Sequence, residues 1–344
     1  MLTEKRKNEL INQFIFLEDG SDGALHCLEI QELAFLCAIA AKLKMNPLEK
    51  MEEIDCDKKI KNFYRIIIEK FKAGHEMFIA YNKVTNYPNI DNGGFGWIFS
   101  KKEYAEAAVN HYEQQKIELT LKHLRNEQIK EEFELLYRLG IKILYLDNGQ
   151  YRLPVNRSDV FSDPDFSKYT KEEMPIMNTE TNFAILQFLQ ILYSKDNFEE
   201  NKNLAQMLEA RMMYCIIHTK FLIPIKLTPD MDTQKQGEAW IIKEGSEVTF
   251  ATVMDNNNRS VWLPVFTDWE EALKVYPKSE WEECVASYDM ILELAKYMEG
   301  FLVNMKGMPL RVNRKNIERF EKFQSTEFYK KLEESWNNPA SFNN

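Results

Sequence analysis

"WLPVFTDWEEAL", residues 262–273, joins an apolar run to an apolar-periodic segment, and its reading decides between a reactive motif and a folded corner. Thr267 follows "WLPVF" directly and Glu270 stands three residues later, the spacing of a capping box. In such a box the threonine oxygen accepts an orphan backbone N–H at the helix start, and the glutamate reaches back to the threonine's own N–H. Asp268 then falls in the first turn, where the helix dipole favours negative charge. Trp262 and Phe266 share one strand face by alternation and are expected to point inward. Pro264 has no N–H to donate to a ladder, which predicts an edge strand or a bulge there. The stretch therefore reads as a strand-to-helix corner.

The corner occurs twice. "GWIFSKKEYAEAA" (96–108) keeps its logic with Ser100 and Glu103, but Lys101 stands where the later copy has Asp268, so a catalytic carboxylate would be lost. Around it, "NFYRIIIEKFKAGHEMFIAYNKV" (62–84) matches "NLAQMLEARMMYCIIHTKFLIPIKL" (203–227) as helix then strand. "ELLYRLGIKILYLDNGQYRLPVNR" (134–157) matches "ELAKYMEGFLVNMKGMPLRVNR" (293–314) as helix, glycine and strand. Upstream, 28–47 and 181–197 form a weaker pair of leading helices. Three similarities in one order predict a duplicated unit. The expected fold class is α+β, with two tandem related mixed domains in the order helix-strand-hairpin-helix-helix-strand, each carrying a small mixed sheet. Expected boundaries are an N-terminal repeat with helical extension at 1–160, a linker at 161–180, a second domain at 181–325 and a helical or flexible tail at 326–344. The linker falls within the Ser-, Asp- and Pro-rich stretch 157–180.

Local patterns fill in these elements. Ile30, Leu33, Cys37 and Ala41 make one apolar helical face, with Pro47 beyond its end. Ile129, Phe133 and Leu136 do the same before Gly140, as do Tyr288, Ile291, Ala295 and Met298 before Gly300, and each glycine is read as a helix stop. "EVTFATVM" (247–254), the turn "DNNNR" (255–259) and "SVWLPVF" (260–266) predict a hairpin.

The whole-chain properties rank functions down. With 344 residues, 44% hydrophobic and 28% charged, the chain has the length for two domains and the balance of a folded protein. A formal net charge of -10 repels a phosphate backbone, so nucleic acid is not an expected partner. Five scattered cysteines without a CxxC pair exclude a disulfide framework. "MLTEKRKNELINQF" lacks the apolar core of a signal peptide, and "LAFLCAIAA" (33–41) is too short to cross a bilayer. A cytoplasmic protein with no membrane role is expected.

From about Asn203 to Phe320, the segments "LIPIKL", "WLPVFTDWEEAL" and "EGFLVNMKGMPLRV" resemble the SseB protein N-terminal domain, a family named for an enhanced serine sensitivity phenotype. The strand ending in "PVFT" is the most recognisable part, and "GWIFSK" in the first half departs from it. The resemblance implies a mixed α/β domain of bacterial, cytosolic type. It carries over no catalytic residue.

Candidate chemistry is sparse. Cys215 and His218 suggest a thiol and base, but no third group to orient them is visible. His26, His75, His111, His123 and His218 form no HExxH or finger spacing, so no metal is expected. "DMDTQKQG" (230–237) begins like a calcium loop but has Lys235 where glycine is required. "NYPNIDNGGFG" (86–96) fails the nucleotide fingerprints, and no cofactor is expected. Asn156, Arg157, Asn313 and Arg314 recur in "PVNR" and "RVNR" as candidate anion binders, the alternative being that each asparagine caps a helix. The leading expectation is a non-enzymatic protein that binds a protein partner through exposed aromatic and acidic surface. Two alternatives stay open: an enzyme with an interdomain site using His218, Asp268 and Asn304, and an immunity-like or chaperone-like inhibitor of a basic partner.

Overall fold

The computed structural model describes residues 2–17, 22–46, 54–170, 174–194, 201–227, 233–236, 239–242, 248–257 and 259–337. The chain divides into two compact units. The first comprises Met1–Tyr137, Ile141–Asp163 and Tyr193–Asn197; the second comprises Arg138–Gly140, Pro164–Leu192 and Phe198–Asn344. Both mix helices with small mixed sheets, an α+β fold.

The first unit opens with helices α1 (Glu4–Leu10), which continues as a π-helical segment Ile11–Phe16, α2 (Asp22–His26), α3 (Ile30–Met45) and α4 (Cys56–Lys72). Then come β1 (Met77–Asn82), β2 (Tyr87–Pro88), β3 (Gly96–Phe99), α5 (Lys102–Gln114), β4 (Leu119–Leu124), α6 (Glu127–Arg138), β5 (Ile143–Leu146), β6 (Leu153–Asn156) and α7 (Arg157–Val160). β1 pairs antiparallel with β2, β3 and β4; β3 pairs parallel with β5, which pairs antiparallel with β6. Ile30, Leu33 and Cys37 are buried as expected, but Ala40 completes the stripe and Ala41 is exposed, because at 3.6 residues per turn position 41 swings off the face. Ile129, Phe133 and Leu136 are buried, and Gly140 takes a left-handed φ of 70° as Ile141 N–H bonds Leu136 O at 2.9 Å.

The second unit contains α8 (Thr179–Leu192), α9 (Lys202–His218), β7 (Phe221–Leu227), β8 (Thr233–Gln236), β9 (Ala239–Ile242), β10 (Val248–Phe250), β11 (Val253–Asp255) and β12 (Ser260–Val265). After these come α10 (Trp269–Leu273), β13 (Glu282–Ala286), α11 (Tyr288–Leu294), β14 (Gly300–Val303), β15 (Leu310–Asn313), α12 (Arg314–Gln324) and α13 (Glu327–Asn337). Its sheets run β10-β7-β13 and β11-β12-β14-β15, joined by an antiparallel bridge between Leu222 and Phe266; β8 and β9 form a separate pair. Trp262 and Phe266 are buried, and Phe221, Phe266 and Phe301 are among the largest fully buried side chains. Burying each such ring stabilises the fold by about 2–3 kcal/mol.

Three expectations change here. The strand read over 247–254 divides: β10 joins β7, while β11 forms the hairpin with β12, because Ala251 N–H bonds Pro224 O at 2.9 Å and ends the first pairing. β12 is not an edge, having β11 on one side and β14 on the other. Pro264 is tolerated because pairing with β11 stops at Trp262 and resumes, with Leu222, only at Phe266. Gly300 is not a helix stop: α11 ends at Leu294, Met298 lies beyond it, and Gly300 opens β14 opposite Asn313. Within the stretch read as a linker, Met177 bridges Asp268 and α8 starts at Thr179.

Candidate functional site

A buried polar cluster of the second unit, Asn182, Thr267, Asp268, Glu271 and Asn304, surrounds the opening stretch. Asp268, not Thr267, is the N-cap of α10: its Oδ1 accepts from Glu271 N–H at 3.0 Å. The threonine is already taken. Its N–H donates to Asn304 Oδ1 at 3.0 Å, and its Oγ accepts from Asn304 Nδ2 at 2.8 Å. The hydroxyl proton is thereby free to go to Asp268 Oδ2 at 3.3 Å, which also accepts from Asn182 Nδ2 at 3.2 Å. Glu270, expected to close the box, is largely exposed, 3.7 Å from Arg138 Nη1. Asn304 has a φ of 48°, a left-handed backbone that asparagine tolerates better than most residues, and its N–H bonds Val265 O at 3.0 Å.

Arg138 faces this cluster at ion-pair distance, 3.9 Å from Asp268 Oδ1 and 3.6 Å from Glu271 Oε1. Burial raises the Glu271 carboxyl above its ordinary range, opposed by Lys274, whose Nζ donates to Oε1 at 2.5 Å. Below the corner, Asn178 Nδ2 donates to Thr267 O and to Lys220 O, both at 2.8 Å. Both oxygens of Asp268 and both ends of Asn304 are thus engaged, one atom of each by a backbone N–H and the other by neighbouring side chains.

Residues 201–319 match the SseB protein N-terminal domain. The SseB domain so delimited runs through α9, the corner at 267–268, Asn304 and α12. No curated protein and no solved structure matches the chain.

The remaining candidates of the SseB domain lie apart from the corner. Asn313 caps α12, accepting from Asn316 N–H at 3.0 Å in a reciprocal box. Arg314 binds carbonyls: Nε donates to Met298 O at 3.0 Å, Nη2 to Ala295 O and Met298 O at 2.7 Å, and Nη2 also to Lys296 O. Cys215 is buried and pushed up to about 11, chiefly by desolvation, so a thiolate is disfavoured there. His218 bonds Tyr329 Oη at 2.9 Å. Replacing Arg314 with alanine should lower the stability of the SseB domain by about 2 kcal/mol, since several charge-assisted bonds to the turn 295–299 vanish together. Urea denaturation followed by tryptophan fluorescence checks this, and an unchanged midpoint contradicts it.

In the first unit the corresponding corner is built differently from expectation. Ser100 does not cap α5; the N-cap is Lys101, with no side-chain acceptor, because Ser100 N–H and Oγ–H both donate to Asp147, at 2.8 Å each. Asn156 precedes α7, but its Nδ2 donates to Asp159 Oδ2 at 3.0 Å instead of capping. Arg157 is buried: it stacks on Tyr137, donates to Phe161 O at 3.0 Å and pairs with Asp163. Nearby opens a pocket of about 410 Å³ among Lys70, His75, Glu76, Lys101, Lys102 and Glu103, with Cys27 on its rim. Its lysines have protein partners: Lys70 Nζ donates to His26 O at 2.8 Å, and Lys102 pairs with Glu106 at 3.2 Å. Sequence reasoning missed this pocket, since its walls come from α3, α4 and the β3–α5 corner; the only local signal was the pair of lysines in "SKKEY".

The calcium-like run "DMDTQKQG" lies outside the described residues except for 233–236, which form β8. Among the described residues no helix is long and apolar enough to cross a membrane.

Proposed function

We propose that this chain is a non-enzymatic, cytosolic binding protein made of two related units, whose polar corners maintain the folded frame and whose exposed side chains take a protein partner. The observation that carries this reading is the commitment of Asp268, Asn304, Thr267 and Arg314 to backbone groups and to one another, while Tyr297 is 93% exposed and Met254 61% exposed. Tyr297 projects from the turn that Arg314 grips, so its backbone is held while its ring faces water. A rigid aromatic side chain of this kind is a common anchor in protein interfaces.

Relatedness of the units has support in the pairing order. In each, the first strand pairs antiparallel with the strand that follows the corner helix: β1 with β4, β7 with β13. In each, the corner strand pairs parallel with the first strand of the closing hairpin: β3 with β5, β12 with β14. The net charge of -10 favours a basic partner and makes binding weaken with salt.

Affinity capture with the full chain from native cell extract, at low and high salt, tests the reading. The wild type is expected to recover a protein in near-stoichiometric amount. The Tyr297→Ser form is expected to lose roughly thirtyfold in affinity, about 2 kcal/mol, with its urea midpoint unchanged. Recovery of no partner at any salt concentration overturns the proposal.

A further inference from the structure

The Ser100–Asp147 corner and the Thr267–Asn304 corner share one geometry and differ in one group. Asp147 and Asn304 each follow a core strand, β5 or β14, in left-handed backbone, with φ of 52° and 48°. Each sends its N–H to the neighbouring corner strand, Asp147 to Ile98 O at 2.9 Å and Asn304 to Val265 O at 3.0 Å. Each side chain grips the residue two positions beyond that carbonyl, Ser100 or Thr267, at two points, its N–H and its hydroxyl. Asn304 accepts from the N–H and donates to the hydroxyl oxygen. Ionised Asp147 accepts from both, because a carboxylate has no proton to give.

We infer that the Ser100–Asp147 corner is a proton-operated latch: a proton on Asp147 Oδ2 reverses its bond with Ser100 Oγ, so that the carboxyl donates, as Asn304 Nδ2 does to Thr267. The Ser100 hydroxyl proton is then released, and Ser100 lines the pocket with Lys101 and Lys102. Protonation therefore adds a hydrogen-bond donor to the pocket wall and removes a buried negative charge behind it.

The surroundings suit a neutral carboxyl. Asp147 is fully buried, and among the described residues no cation is within ion-pair distance of it. The ionisable groups around it are Lys101 and Tyr104 from the corner and α5, Tyr151 from the β5–β6 turn and, at longer range through Tyr104, Glu103. Desolvation pushes the carboxyl up to about 6, against the pull of the two Ser100 bonds and the field of Lys101. A folded-state value above the unfolded one means that the proton binds the folded form more tightly. The associated stability is complete below about pH 4, the unfolded value, and is lost as pH rises through the folded value.

Carbon-13 NMR of the side-chain carboxyls in the full chain, with Asp147 assigned by its absence in Asp147→Asn, reads the proton directly. The expected midpoint is near 6, roughly a hundredfold tighter proton binding than a free aspartate at about 3.9. Ser100→Ala removes one bond from each form, but the bond to the ionised carboxylate is charge-assisted and the stronger of the two, so the midpoint is expected to move further up. In urea, with Trp97 reporting on the first unit, wild-type stability should fall between pH 5 and 7, and Asp147→Asn should lack that fall. A midpoint below about 5 overturns the latch, as does a Ser100→Ala midpoint at or below that of the wild type. If Asp147→Asn does not fold, assignment through Ser100→Ala shifts keeps both readouts.

Discussion

Replacing Gly300 with alanine is expected to unfold the SseB domain or to strip it of at least about 3 kcal/mol. A β-carbon at this position would meet Val312 O at 2.0 Å and Asn313 Cα at 3.0 Å. Those atoms are backbone, so no side-chain rotation relieves the overlap. β14 lies between β12 and β15, with Gly300 opposite both Trp262 and Asn313, and relief requires one ladder to part. Against a total stability of about 5–15 kcal/mol for an ordinary domain, that loss takes a large share. Gly96→Ala makes the contrast: its β-carbon would meet Leu144 Cδ2 at 2.6 Å, the tip of a flexible side chain, and the cost should stay near 1 kcal/mol. Urea titrations measure both, with Trp262, Trp269 and Trp281 reporting on the SseB domain and Trp97 on the first unit. A Gly300→Ala midpoint equal to that of the wild type contradicts the argument.

Asn304→Ala is expected to cost about 3 kcal/mol or more. Truncation leaves the buried Thr267 N–H and the Asn182 Oδ1 without their partner, and each orphaned group costs about 1–3 kcal/mol. Alanine in left-handed backbone adds about 1 kcal/mol. Asn304→Asp separates the two contributions, because aspartate tolerates the backbone and still accepts from Thr267 N–H. Its charge would lie next to the Thr267 hydroxyl that now serves Asp268, so the variant should lose stability as pH rises and recover it on acidification. It is the reverse of Asp147→Asn in the first unit, and the two substitutions should change the pH dependence of stability in opposite directions. Equal destabilisation of Asn304→Asp at pH 5 and pH 8 would sink this account.

How legible these corners were depends on the range of the forces that build them. The apolar stripes of α3 and α6, the inward faces of Trp262 and Phe266 and the turn between β11 and β12 follow from periods of 3.6 and 2, which neighbours in the chain set by themselves. The SseB resemblance was legible for the same reason, as a run of such local patterns over 201–319. The cap lies one residue beyond the local expectation because a distant side chain competes for Thr267. Asn304, 37 residues downstream of Thr267, claims both its N–H and its hydroxyl oxygen, and Asp268 takes over the helix start. Asp147, 47 residues from Ser100, does the same in the first unit and leaves α5 without a side-chain cap.

The amino-acid order alone therefore determined which faces of α3 and α6 are apolar and that a strand-to-helix turn occurs at 262–273. Tertiary structure alone decided which oxygen meets which N–H at that turn, how the 247–254 stretch divides between two sheets, and that Asp147 is buried against Ser100. Periodicity is a property of adjacent residues, whereas a hydrogen bond goes to whichever acceptor the folded chain brings within about 3 Å.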